Sequence, residues 1–187
     1  DVIGLEALLW VDDAHAGGIM GKNGRGTIEL LGILRRNVLQ TVTFSKAFGT
    51  YGGAILCEKA TASAIVEKSA AVGGNTPLPL PLACAIITGL KICDGVLRKR
   101  LFRNIEAFWE ELGQPAPVHA GPIVLFAPGN PAALRKKLIA SGVYPPYIKY
   151  PGGPVGGYFR FAISSEHTAD QISKLAKVLA PFASTSP

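Results

Sequence analysis

Apolar residues follow one another along this chain in two rhythms. Leu8-Leu9-Trp10-Val11, Leu39 to Phe44 and Ala54-Ile-Leu-Cys57 are short unbroken runs rich in branched and aromatic residues, so they read as buried strands of one sheet. Between and after them the spacing becomes three and four. It predicts a short helix from Thr27 to Leu34 and helices from Glu58 or Lys59 to about Ser69 and from Leu82 to Asp94. A long helix follows from Gly95 to Leu112, where Val96, Leu97, Leu101, Ile105, Phe108 and Leu112 form one apolar stripe. Gly113-Gln-Pro-Ala-Pro117 stops that helix. Beyond it come a strand Pro122 to Phe126, a helix Asn130 to Ser141 capped by Asn130 with Gly142 past its end, and an edge-like strand Val143 to Ile148. A strand Tyr158 to Ile163 and a helix from a Thr168 cap to about Phe182 complete the order. The expected architecture is an α/β part over residues 1–95, then a small lobe over 96–187 with a helix-covered antiparallel sheet.

The strand ends carry the chemistry. Leu39 to Phe44 stops abruptly at Ser45-Lys46, and Leu8 to Val11 releases Asp12, Asp13 and His15. In open α/β sheets the ligand crevice lies outside the carboxyl ends of the strands, so amine, carboxylate and imidazole are expected at one sheet edge. A lysine desolvated at a strand end is a nucleophile toward aldehydes. Pyridoxal 5'-phosphate is the cofactor that needs this set: a lysine for the Schiff base, an acid to keep the pyridine nitrogen protonated, and a group for the ring hydroxyl.

Val11-Asp-Asp-Ala-His15, then Gly21-Lys-Asn-Gly-Arg-Gly26, then Thr43-Phe-Ser-Lys46-Ala-Phe-Gly49 resembles, in order, the α-oxoamine synthase family of fold-type I pyridoxal-phosphate enzymes, from about Leu8 to about Phe182. The resemblance implies the C-terminal part of an aspartate-aminotransferase-like large domain followed by the small domain. The first half is expected to be missing, since family chains are about twice as long; in the family that half supplies a phosphate-holding loop and an aromatic ring over the pyridine. The opening Asp1-Val-Ile-Gly4 shows neither initiator methionine nor signal-peptide pattern. The roles implied are Lys46 as Schiff-base lysine and general base, Asp12 at the pyridine nitrogen, His15 at the phenolic oxygen and Thr43 at the phosphate. Asp13 competes for the Asp12 role on spacing, although the Asp-x-x-His register favours Asp12. In Tyr158-Phe-Arg160-Phe-Ala-Ile163-Ser-Ser-Glu-His167 the resemblance gives Arg160 the amino-acid carboxylate, a pairing that suits a guanidinium. On alternation alone Arg160 is a strand arginine pointing to solvent. Thr76 takes the family's contact to the cofactor phosphate of a neighbouring subunit, or lies in a plain connector, since Asn75-Thr76-Pro77 departs from the usual Ser/Thr segment. The loop Tyr150 to Gly157 departs as well, which leaves the substrate side open. His119 and His167 read as structural.

The reaction implied is condensation of an amino acid with an acyl-CoA, releasing carbon dioxide and coenzyme A, in a homodimer with shared active sites. An aminotransferase that never uses coenzyme A and a non-catalytic subunit are the alternatives. Composition changes this picture little. With 187 residues, 48% of them hydrophobic, the chain can bury a core, and it has no apolar run long enough to span a bilayer. Cys57, Cys84 and Cys93 show no metal-ligand spacing and read as reduced core residues, which fits a cytoplasmic setting and no metal. The formal charge of +6 suits anionic ligands, yet Arg98 to Arg103 and Arg135-Lys136-Lys137 read as solvated helix faces, so no nucleic-acid partner is expected. The glycines of 17–26 lack phosphate-cradle spacing and read as a packing loop.

Overall fold

The computed structural model describes residues 7–153 and 156–183; the opening Asp1-Val-Ile-Gly4 and the centre of the Tyr150 to Gly157 loop, Pro154 and Val155, lie outside them. The chain divides into two compact units, one through Gly95 and one from Val96. Both units mix helices with a three-stranded sheet.

The first unit contains β1 (Leu9–Asp12), α1 (Thr27–Leu30), β2 (Val38–Thr43), β3 (Gly53–Leu56), α2 (Lys59–Lys68), α3 (Ala70–Gly73) and α4 (Leu80–Ile92). Its sheet has the order β1-β2-β3. β1 runs parallel to β2 with Asp12 opposite Thr41, and β3 returns antiparallel with Gly53 opposite Thr43. The strands are where expected, but their burial is not. Trp10 is 71% exposed and Ile55 48%, because the apolar faces of this sheet have little over them among the described residues: Ile28, Val38 and Ile86 are the only buried hydrophobic side chains of the unit. α2 buries none of its residues.

Two helix boundaries also moved, each for a local reason. α1 ends four residues short of Leu34, with Gly32 just beyond it at φ 65°, a left-handed conformation that breaks the helical ladder. α4 starts two residues before Leu82, since Pro81 falls in the first turn, where its missing N–H has no intrahelical partner to lose. The cysteines are free but not core: Cys84 is exposed and the other two are half-buried, with the Cys93 thiol donating to the Gly18 carbonyl at 3.4 Å.

The second unit contains α5 (Gly95–Leu112), β4 (Ile123–Phe126), α6 (Pro131–Ala140), β5 (Tyr147–Ile148), β6 (Tyr158–Ala162) and α7 (Ala169–Ala183). The antiparallel sheet has the order β4-β6-β5. Alternation sends Val124, Phe126, Phe159 and Phe161 into the core, where Leu101, Ile105, Phe108 and Leu112 of α5 are buried too. Each such side chain stabilises by roughly 1.5–3 kcal/mol, and Phe108→Ala would cost about 3–5 kcal/mol through the cavity left behind. The caps are as read: Asn130 Oδ1 accepts from Ala133 N at 3.0 Å, Gly142 has φ 74°, and Thr168 and Gln171 bond each other's backbone N–H reciprocally. β5 is shorter than Val143 to Ile148, because Pro145 and Pro146 have no N–H for a ladder. Among the described residues no single helix is long and apolar enough to cross a membrane.

Candidate functional site

The parallel ladder of β1 and β2 brings the two strand ends to one edge of the first unit's sheet. Asp12 closes β1 opposite Thr41, the ladder continues through Asp13 N to Thr41 O at 2.8 Å, and Thr43 closes β2 two residues further on. Asp12, His15, Thr43 and Lys46 are therefore all delivered at the carboxyl edge.

The two aspartates are held differently. Asp12 is exposed and uses one oxygen to accept from Ala14 N at 3.0 Å, which fixes the turn that carries His15. Asp13 is 1% exposed and accepts from Thr27 N at 2.8 Å and from the Gln40 amide. Gln40 also donates to the Arg25 carbonyl and accepts from the Arg35 guanidinium, both at 2.9 Å. Asp13 thus clasps the end of the glycine loop, and a Cβ at Gly26, at φ 87°, would overlap its carboxylate. At the outer side of the loop Glu29 accepts from Asn23 N and Arg25 N, both at 3.0 Å, and from the Asn23 amide. These backbone donors, Arg25 N–H first, hold the Glu29 carboxyl below its ordinary value.

Lys46 is exposed, not desolvated as expected, because its turn lies beyond the strand on a part of the sheet edge that no described residue covers. The turn itself is tightly fixed. Thr50 N donates to Phe44 O at 2.8 Å and Phe44 N to Gly52 O at 2.9 Å, and the Phe44 and Phe48 rings meet edge-on at 5.7 Å. A Cβ on Gly18 would stand 2.8 Å from the Ala47 Cβ, and one on Gly89 would stand 2.5 Å from the Phe48 carbonyl oxygen, so the glycine loop and α4 both press on the segment that follows the lysine.

Sequence reasoning passed over Ser45. Its hydroxyl lies 2.8 Å from Thr43 Oγ1 and its N–H donates to the same oxygen at 3.3 Å, so two hydroxyls and the lysine sit together at the strand end. The signal was present as a Thr-x-Ser-Lys spacing, in which alternation puts Thr43 and Ser45 on one side. Thr76 is exposed on the connector before α4, two residues before Leu78, which packs near Gly52.

Arg160 stands on the open face of the second unit's sheet, opposite Leu125 of β4, exposed and with no carboxylate partner among the described residues. His167 is firmly partnered: its Nδ1 accepts from Ser164 N at 3.1 Å. His119 is an exposed loop residue at φ 57°. Among the described residues no group of His, Cys, Asp and Glu is placed to hold a metal.

Known proteins are similar to this chain in sequence and fold. The family model for aminotransferase class I and II matches residues 4–179. An 8-amino-7-oxononanoate synthase of Yersinia enterocolitica is 35% identical over 182 residues, covering 91% of this chain and 46% of that protein. The enzyme of the same name from Trichlorobacter lovleyi is 30% identical over 179 residues, covering 90% and 46%. The structure of an 8-amino-7-oxononanoate synthase from Francisella tularensis superposes with a TM-score of 0.78 at 27% identity, over 92% of this chain and 54% of that one. A serine palmitoyltransferase of S. paucimobilis, at 24% identity and a TM-score of 0.80 over 96% and 48%, shows the same fold. The chain spans about half the length of the curated relatives it matches. It belongs to the aminotransferase class I and II family of pyridoxal-phosphate-dependent transferases.

Proposed function

We propose that this chain carries the lysine-bearing part of an acyltransferase that joins an amino acid to an acyl-CoA thioester, with loss of carbon dioxide and coenzyme A. The observation that supports it most is the parallel ladder that delivers Asp12, His15, Thr43 and Lys46 to one sheet edge. The donor set suits pyridoxal 5'-phosphate: an amine, an exposed carboxylate and the paired hydroxyls of Thr43 and Ser45. When bound, that cofactor supplies an electron sink for charge developed at an amino acid's α-carbon.

The chain's residues divide the remaining work. Asp12 has a carboxylate oxygen left after its bond to Ala14 N, with which it holds a proton on a pyridine nitrogen. Asp13 is already engaged in the buried clasp and holds the loop instead. Thr43 and Ser45 would hold the phosphate, and His15 the phenolic oxygen. Lys46 would hold the cofactor through its amine and, as a free amine, would move the α-proton as general base. Arg160 pairs with the substrate carboxylate through two parallel N–H donors. Residues 1–95 are then part of the large domain and 96–187 the small one, in a cytoplasmic homodimer where Thr76 reaches the phosphate of the neighbouring site.

The test is to incubate the protein that carries this chain with an amino acid and an acyl-CoA, and separately with an amino acid and a 2-oxo acid. Release of free thiol supports the synthase. Amino-group exchange without thiol release replaces it with an aminotransferase, for which the departure of the Tyr150 to Gly157 loop leaves room, and absence of both with no bound chromophore points to a non-catalytic subunit.

A further inference from the structure

The glycine loop between β1 and α1 closes on a single residue. At its start the Asp13 carbonyl accepts from Ala16 N at 3.1 Å and from Gly17 N at 2.9 Å. At its end the Asp13 Oδ2 accepts from Thr27 N at 2.8 Å and from the Gln40 amide. Between those ends Gly18 N donates to Gly24 O at 2.8 Å and Gly26 N to Met20 O at 2.9 Å, and Gly17 bridges Arg25. Asp13, Gly17, Gly18, Gly24 and Gly26 are all buried. The loop is therefore closed by hydrogen bonds along its length, and Asp13 is the point where both of its ends are tied.

What this loop leans on is the end of β2 and the turn beyond it. A Cβ on Gly17 would stand 3.2 Å from Val42 Cγ1, and one on Gly18 2.8 Å from Ala47 Cβ and 3.0 Å from Phe48 Cζ. The Gly18 carbonyl accepts from the thiol of Cys93, the C-cap of α4, at 3.4 Å. The backbone of residues 17–18 is thus packed between β2, the two residues that follow Lys46 and the end of α4. The roles proposed for Asp12, His15, Thr43 and Lys46 do not call for a second carboxylate beside Asp12. Asp13 is nevertheless 1% exposed, and a carboxylate is costly to bury unless donors compensate it. The donors it gains fix the loop.

From this we infer that Asp13 is a positioning residue for Lys46: by tying both ends of the loop it holds Gly17 and Gly18 against Val42, Ala47 and Phe48, and so sets where the Lys46 amine stands relative to the hydroxyl pair of Thr43 and Ser45. The inference rests on the proposed function in one respect, that the amine and the hydroxyl pair meet the aldehyde and the phosphate of one molecule. An amine and a phosphate cradle fixed relative to each other capture such a molecule as an intramolecular reaction does, an advantage that a shift of about 1 Å removes.

The experiment uses the full protein that carries this chain, freed of cofactor and treated with pyridoxal 5'-phosphate or with pyridoxal under borohydride. Mass spectrometry reads the label on Lys46 against that on the exposed Lys99. The quantity followed is the preference of Lys46 for the phosphorylated aldehyde over pyridoxal, taken well below each variant's melting temperature; a protein that is only less stable keeps this ratio. The unmodified protein should show the preference at Lys46 and not at Lys99. Asp13→Ala should reduce it about tenfold or more. Asp13→Asn should retain it, because both donors converge on one oxygen and an amide carbonyl in the same place accepts them. Gly18→Ala leaves Asp13 and its donors in place but drives a methyl into Ala47, and should reduce the preference as Asp13→Ala does. A preference that survives either Asp13→Ala or Gly18→Ala overturns the inference and leaves the cofactor reading standing. A loss in Asp13→Asn as deep as in Asp13→Ala also overturns it, since Lys46 would then respond to the charge and not to the loop. An unmodified protein without the preference removes the cofactor reading and this inference together.

Discussion

Gln40 donates its side-chain amide to the carboxylate of Asp13, 27 residues earlier, and both side chains are shut off from solvent. Burial separates the two adjacent aspartates, since Asp13 is shut off from solvent with its Oδ2 held by both Gln40 and Thr27 N, while Asp12 stays at the surface. Asp13→Ala would leave one N–H of the buried Gln40 amide and the Thr27 backbone N–H without their acceptor, at about 1–3 kcal/mol for each orphaned donor. The expected outcome is a clear fall in melting temperature for Asp13→Ala and a shift within about 0.5 kcal/mol for Asp12→Asn. α-Proton exchange on the amino acid should respond the other way for Asp12→Asn, with cofactor still bound. If Asp12→Asn melts early while leaving exchange intact, the two roles are reversed.

Gly89 of α4 faces the turn of Lys46, where an added Cβ would lie 2.5 Å from the Phe48 carbonyl oxygen and 3.2 Å from Thr50 Cγ2. The helix must move off, or the turn must shift. Gly89→Ala, a favourable change for an isolated helix, should therefore destabilise the chain and alter the reactivity of Lys46 toward a soluble aldehyde, read by borohydride trapping and mass spectrometry. Unchanged trapping with unchanged melting would show that α4 does not hold the turn.

The acid limb of stability should contain a contribution from Glu29. Its carboxyl is held below the ordinary glutamate value chiefly by the Arg25 N–H, then by Asn23, so the charged form is favoured by folding. A depressed folded-state pKa contributes stability that is present above the unfolded value, about 4.3, and lost as pH falls through the folded one. Glu29→Gln should remove that slope: the melting temperatures of the two proteins should differ more at neutral pH than at about pH 3. A gap of equal size at both pH values would mean that the glycine loop is held by something other than this charge.

Local chemistry was the part legible in the chain. The Asn130 and Thr168 caps, the Gly142 stop and the stripe of α5 are written within a few residues of where they act, and each is found there. Trp10 and Ile55 mark the limit: a run of apolar residues declares what it would bury, but its burial depends on what lies over the sheet. The exposure of Lys46 has the same origin. The Asp13 and Gln40 clasp was illegible for another reason, because a pairing across 27 residues follows from strand register and leaves no local spacing. Likewise His167 declared no partner, since that partner is a backbone N–H.

Lys46 and Arg160 lie in different units and separate the two halves of the proposed chemistry. In the protein that carries this chain, Lys46→Ala should abolish the borohydride-reducible link to the cofactor, yet leave noncovalent retention through Asp12, His15, Thr43 and Ser45, measurable by dialysis. Turnover should vanish with the lysine. Arg160→Ala should keep the reducible link and weaken amino-acid binding by the loss of a charge-assisted pair, about 1.5–3 kcal/mol, or roughly ten- to a hundredfold. Because Arg160 is exposed on the open sheet face opposite Leu125, the change should leave the melting temperature nearly where it was, so a binding defect cannot be a folding defect. An amine without a carboxylate should bind both proteins alike. If Arg160→Ala leaves the amino-acid dissociation constant unchanged, another group holds the carboxylate and the substrate half must be redrawn, while the cofactor half, which stands on the β1 and β2 strand ends, is tested by Lys46 alone.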